Sequence, residues 1–188
     1  MSNRPSVQVA VFMRKERVQG AMSRWQTWRW LPHGVHLQDE NTPTQARVWR
    51  QSEDEEIWLH PGFTVSLFKD DVQGYYLNST SPTPSWFVLW RMEEEPQFAE
   101  DVIAVPTMVS LSYHDAGRWL DAQENVDPIA APDDVVAWMN QFTQTHWQEE
   151  PKRRKRPESF KPLHDRFGNP ASVSTDKPRG GGPKGPHV

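Results

Sequence analysis

Apolar side chains recur at every second position over residues 7–13, where Val7, Val9, Val11 and Met13 alternate with Gln8, Ala10 and Phe12. That period gives an extended strand one apolar face. The charged run Arg14-Lys15-Glu16-Arg17 is expected to end it. After Gly20 comes Arg24-Trp25-Gln26-Thr27-Trp28-Arg29-Trp30, with three indoles and two guanidiniums in seven residues. Trp28 and Trp30 would share one face of a strand, and a buried indole removes roughly 150–250 Å² from water. The stretch therefore reads as the strand that nucleates the core. Trp25 has the opposite parity, which fits a strand-entry residue, a bulge or a surface aromatic. Val35 and Leu37 continue the period past Pro32 and Gly34, two breakers that suggest a turn or bulge.

Further along, Ala46, Val48 and Arg50 with Trp49 on the other face, the acidic run Glu53-Asp54-Glu55-Glu56, and then Ile57-Trp58-Leu59 describe a hairpin with a negative loop. His60-Pro61-Gly62 has turn composition. Phe63, Val65 and Leu67 predict the next strand, and Lys69-Asp70-Asp71 with Gly74 a turn. Tyr75-Tyr76-Leu77-Asn78 then returns as a strand. Residues 86–92 are apolar on both faces, as expected of a strand in the middle of a sheet. Val109, Leu111 and Tyr113 begin one more strand. Helical spacing follows at Ala116, Trp119, Leu120 and Gln123, with Asp115 as N-cap. A stronger helix is expected over 132–147, where Val135, Trp138, Met139, Phe142 and His146 recur at i, i+3, i+4, i+7 and i+11.

From residue 151 the composition changes abruptly, to seven Pro, five Gly and no Trp in 38 residues. Such a segment buries too little apolar surface to offset the entropy of ordering. The expected fold class is α+β: an antiparallel sheet or partly open β-barrel of about six to eight strands over residues 6–113, covered by a C-terminal amphipathic helix. Residues 1–150 form one globular domain in this reading, and 151–188 a basic, disordered tail.

Charge sharpens that division. Residues 1–150 carry 11 Lys/Arg against 22 Asp/Glu, a net of −11, whereas 151–188 carry 10 against 3, a net of +7. There is no cysteine, which excludes disulfides, thiolate-bound zinc, thiolate-ligated iron–sulfur clusters, cysteine nucleophiles and persulfide carriage. No apolar run approaches the roughly 20 residues that span a bilayer, and residues 1–18 lack a secretory pattern. No membrane insertion and a cytoplasmic location are expected.

Candidate chemistry is sparse. His33-x-x-His36 could chelate a metal but lacks a third ligand nearby, so a turn or surface role is expected. The runs at 53–56 and 93–95 lack the alternating ligands and central glycine of a calcium loop. His114-Asp115 with Ser110 or Ser112 could suggest acid–base or nucleophilic chemistry, but neither serine sits in a glycine-framed elbow. Asn78-Ser79-Thr80 matches a glycosylation acceptor by coincidence. Gly180-Gly181-Gly182 opens no helix and supports no phosphate loop. Lys152, Arg153, Arg154, Lys155 and Arg156 form a basic block, either an anion-seeking arm or a solubilising segment. They are the only residues assigned to partner binding. No catalytic residue, cofactor site or metal site is assigned.

Four segments together resemble a bacterial family of uncharacterised proteins typically encoded beside molybdenum- or tungsten-dependent formate dehydrogenase genes. They are the Val-rich first strand with Arg24-Trp25 and Trp30; Tyr76-Leu77-Asn78 with Pro84 and Phe87-Val88; Asn125-Val126-Asp127-Pro128 with Pro132, Trp138, Phe142 and His146; and Glu149-Glu150-Pro151 with the basic block. Trp49, Trp58 and Trp86 depart from the family pattern. The resemblance implies a non-catalytic accessory protein for formate dehydrogenase expression, assembly or maturation. Its expected partners are formate dehydrogenase subunits or another accessory protein. The alternative is a regulatory adaptor that binds nucleic acid through the basic block.

Overall fold

The computed structural model describes residues 4–94, 96, 99 and 101–146. The expected tail and its basic block, residues 152–156, lie outside them. The described chain builds seven strands and three α-helices: β1 (Ser6–Arg17), β2 (Trp28–Leu37), β3 (Arg47–Gln51), β4 (Glu55–Ser66), α1 (Val72–Ser79), β5 (Ser85–Glu93), β6 (Ile103–Ser110), α2 (Tyr113–Asp121), β7 (Asn125–Ala130) and α3 (Asp133–His146). The strands form two sheets, ordered β2-β1-β4-β3 and β6-β5-β7, with every pairing antiparallel. The sheet alternative thus holds in coarse form, while the partly open barrel gives way to two separate sheets.

One core joins the sheets. Val9, Val11 and Met13 of β1 and Val35 of β2 meet Trp86 and Val88 of β5 and Val109 of β6. Tyr75 of α1 and Val135, Met139 and Phe142 of α3 complete that cluster. The predicted helix over 132–147 is present as α3, and its buried positions follow the helical period. β5 lies central, as its two apolar faces require, but in the three-stranded sheet.

Several expectations fail for identifiable reasons. The charged run 14–17 does not end β1, because its charges are paired: Arg29 Nε of β2 donates to Glu16 at 2.6 Å, and within the run Arg14 meets Glu16 at 2.8 Å. His60-Pro61-Gly62 is not a turn. β4 runs through it with a bulge opposite Val9 and Val11, and Gly62 takes φ +93°. Pairing with β3 has already stopped at Leu59, so Pro61 removes no hydrogen bond on that side. Pro32 and Gly34 likewise stay within β2, beside a register shift between Phe12 and Met13.

Tyr75-Tyr76-Leu77-Asn78 is helix α1 and not a strand. Val72, Tyr75 and Asn78 recur three apart and are all buried, so tertiary packing overrides the β-propensity of the tyrosines. Burial pushes the Tyr75 phenol up to about 12, and its oxygen accepts the Phe68 N–H at 3.1 Å. The strand expected to begin at Val109 is instead the end of β6, and Tyr113 opens α2. Ser112, not Asp115, caps that helix by accepting the N–H groups of His114 and Asp115. β7 was not foreseen. Its Pro128 is accommodated because β7 is an edge strand.

The Trp-rich stretch reaches the core only through Trp30, which packs against its edge. Trp28 and Trp30 are half-buried, and Trp25 is 87% exposed on the loop before β2. Among the described residues the buried indoles are Trp86, with no exposed surface, and Trp58 at 7%.

Candidate functional site

The outer face of the four-stranded sheet carries a cleft of about 460 Å³. Its floor is Ala10 of β1 with Ile57 and Leu59 of β4, all buried. Phe12 is flanked by two rings edge-on: His36 of β2 at 4.9 Å and Trp49 of β3 at 5.7 Å between centroids. Such T-shaped pairs add to the effect of area burial alone. Trp49 can reach inward because it is the extra residue of a bulge: the register steps from Val48 opposite Trp58 to Arg50 opposite Ile57. Even so, Trp49 stays 55% exposed at the rim, with the Arg47 guanidinium 5.9 Å above its ring.

The β2–β3 connection closes one end of the cleft with Asp39, Asn41, Thr42 and Pro43. Asp39 shapes this loop: its carboxylate accepts the Thr42 hydroxyl at 2.9 Å and the Asn41 N–H at 3.0 Å, and its own N–H donates to Thr42 Oγ1. Those donors hold the Asp39 carboxyl below its ordinary range. The loop is tied to β4 through Gln38, whose Oε1 accepts the Gly62 N–H at 2.9 Å. On the opposite wall Arg50 pairs with Glu55, which lies 3.9 Å from Arg14; the Arg50 contact is the main reason the Glu55 carboxyl is lowered.

His33 and His36 lie on β2 and are exposed at this cleft, so the surface role holds and the turn does not. The His36 ring lies over Gly34, where a Cβ would come within 3.3 Å of Nε2. Among the described residues no three His, Asp or Glu side chains converge to hold a metal ion. The cleft's groups can offer ring faces, guanidiniums and a fixed carboxylate to a ligand.

The second polar cluster lies where α1 meets α2. His114 Nδ1 and Asp71 Oδ1 are 2.9 Å apart, Ser110 Oγ donates to Asp115 at 2.6 Å, and the Ser112 N–H donates to Ser110 Oγ at 3.0 Å. Ser112 is fully buried and its oxygen accepts two backbone N–H groups. A Cβ on Gly74 would stand 2.5 Å from that oxygen and 2.8 Å from Asp71 Oδ1. The serines and carboxylates are thus engaged in joining β6, α1 and α2. Asn78 is 1% exposed and donates to the carbonyls of Ser85 and Leu111 at 2.7 and 2.8 Å, so its side chain serves as an internal brace. In the 53–56 run, Asp54 meets Arg17 at 3.4 Å and Glu56 accepts the Trp58 indole N–H.

Lys152, Arg153, Arg154, Lys155 and Arg156, the residues assigned to partner binding, lie outside the described residues. The cleft escaped the sequence reading, although Ile57-Trp58-Leu59, apolar on both parities, signals a strand covered on both faces.

A family model described as a protein of unknown function (DUF3305) matches residues 8–156. The chain belongs to that family. The match takes in both sheets, the three helices and residues 152–156, and carries no link to formate dehydrogenase. No curated protein and no solved structure matches the chain. Among the described residues no helix is long and apolar enough to cross a membrane.

Proposed function

We propose that this DUF3305 protein is a non-catalytic accessory protein for formate dehydrogenase, acting by protein binding in the enzyme's expression, assembly or maturation. The observation that carries the binding role is the preformed cleft with Trp49 at its rim. Its volume falls within the range of roughly 300–1,000 Å³ usual for ligand sites, and its walls mix rings with guanidiniums. The non-catalytic character is supported by the second cluster, whose hydroxyls cap and brace the fold. The choice of formate dehydrogenase rests on the order of four sequence segments. Sulfur delivery by persulfide is outside this role, because the chain has no cysteine to carry it.

Lys152, Arg153, Arg154, Lys155 and Arg156 fall inside the family match, and in this proposal they speed capture of an acidic partner. Deleting the gene and measuring formate dehydrogenase activity tests the accessory role. Reduced activity restored by the full chain is expected, and unchanged activity overturns the proposal. Salt-sensitive binding of duplex nucleic acid, with no formate dehydrogenase subunit recovered alongside the protein, would favour the adaptor instead.

A further inference from the structure

The cleft on the outer face of the four-stranded sheet is held open by features that the core does not need. The core cluster takes Val9, Val11 and Met13 of β1 and leaves out Ala10, Phe12, Trp49, Ile57 and Leu59, which build the cleft. Three local devices nevertheless maintain it. Trp49 enters as the extra residue of the β3 bulge. Gly34 has no positive φ, so the backbone does not call for glycine there; the His36 ring does, since a Cβ would come within 3.3 Å of Nε2. The Asp39 loop is fixed by Thr42 and Asn41 and tied to β4 through Gln38.

Ring geometry and charge together choose the guest. Seen from Phe12, the His36 ring stands at 72° and the Trp49 ring at 79°, over a floor of aliphatic carbon. Such surfaces favour a flat aromatic guest. The ions of this face alternate from strand to strand, Arg29 to Glu16 to Arg14 to Glu55 to Arg50, each in contact with the next. Arg50, the guanidinium of the cleft wall, is thus answered by Glu55. The Arg47 guanidinium lies over Trp49, and the Asp39 carboxylate accepts from Thr42 and Asn41. A charged guest would have to break a pair or lose water without a counterion. What the walls still offer is the imidazoles of His33 and His36 and the Asn41 amide, donors and acceptors suited to ring nitrogens and carbonyls.

We propose that the cleft binds an uncharged planar heteroaromatic small molecule, its ring against Trp49 and its polar edge towards His33, His36 and Asn41. This rests on the binding role above and names the class of ligand for the same cleft.

Saturation-transfer NMR with the full chain tests it, using adenine and indole as uncharged probes and benzoate, benzylammonium and adenosine monophosphate as charged ones. The expected result is transfer to an uncharged probe, with a dissociation constant that rises about tenfold in Trp49→Ala. Gly34→Val, which displaces the His36 ring without touching Trp49, should weaken binding as well while leaving the unfolding midpoint in place. The ligand class is overturned if neither uncharged probe receives transfer, or if a charged probe binds as tightly as the better uncharged one. It is also overturned if both variants keep wild-type affinity within about twofold. Gene deletion reads the accessory role separately: lost formate dehydrogenase activity with no ring binding overturns only the ligand class, and ring binding with unchanged activity overturns only the formate dehydrogenase assignment.

Discussion

Residues 24–30 and residues 86–90 look alike as sequence, each with tryptophans two or four apart in an extended segment, yet they end in opposite environments. Trp86 is fully buried and Val88 with it, because β5 is paired on both sides, by β6 and by β7, and both of its faces are covered. Trp28 and Trp30 lie on β2, an edge strand, at the end of a hairpin where their neighbours are Lys15, Glu16 and Arg17. Trp30 packs only against the edge of the core, because the neighbours across the strand decide how deeply an indole is covered. The cross-strand partners of Trp28 and Trp30 are Arg17 and Lys15, whereas those of Trp86 and Val88 include Ile129 and Val109. What is built around β5 is stability. What is built around the β1–β2 tip is a surface.

The strongest way to break this contrast is to remove one indole from each region. Trp86→Ala should cost ~3–5 kcal/mol, the range for emptying a large buried aromatic site. Trp25→Ala should change stability by less than ~0.5 kcal/mol, as for an exposed position. Chemical denaturation of both variants checks this, and comparable losses would erase the distinction.

Acid should act mainly on the buried part. His60 of β4 is buried opposite Val11, and desolvation lowers its pKa from 6.5 to about 4. Above pH 6.5 neither folded nor unfolded chain holds this proton. As pH falls from 6.5 towards 4 the unfolded chain takes it up and the folded chain does not, so stability drops by at most roughly 3 kcal/mol. The lowered carboxyls of Asp39 and Glu55 withdraw their stabilisation only at lower pH, as protonation sets in below their unfolded values. Denaturation midpoints between pH 7 and 5 should therefore slope in the wild type and flatten in His60→Gln. An unchanged slope in the variant would show that another group controls it.

A smaller loss is expected at the brace of β5. Asn78→Ala removes the donor to the Ser85 and Leu111 carbonyls and the acceptor that holds the Ser85 N–H at 2.9 Å. Leaving such buried groups unsatisfied costs about 1–3 kcal/mol. Equilibrium denaturation that finds Asn78→Ala as stable as wild type would remove α1 from the support of β5.

Much of this arrangement was legible in the chain, and the failures share a cause. β1, the β3–β4 hairpin, β5 and α3 announce themselves by period, since each has a single covering layer or a run apolar on both faces. α1 was misread because Tyr75 and Tyr76 favour strands, and its helical spacing rests on Val72, Tyr75 and the polar Asn78. β7 carries Asp127 and Pro128 in a short, half-exposed edge strand, which leaves almost no alternation to read. The cleft depends on Trp49 turning inward at a bulge, and a bulge reverses the parity on which a sequence reading relies.

The smallest effect on stability is expected from the basic block. Replacing Lys152, Arg153, Arg154, Lys155 and Arg156 with Ser or Gln removes five cations that follow the last residue of α3 in sequence. In the proposed role they act at range, over a Debye length of ~8 Å at physiological ionic strength. Partner capture by the replaced chain should therefore slow at low salt and approach the wild-type rate at high salt, with the unfolding midpoint unchanged. Stopped-flow association against salt checks this. A block whose replacement lowers the unfolding midpoint would be structural, and one whose replacement leaves association unchanged at every ionic strength would be solubilising only.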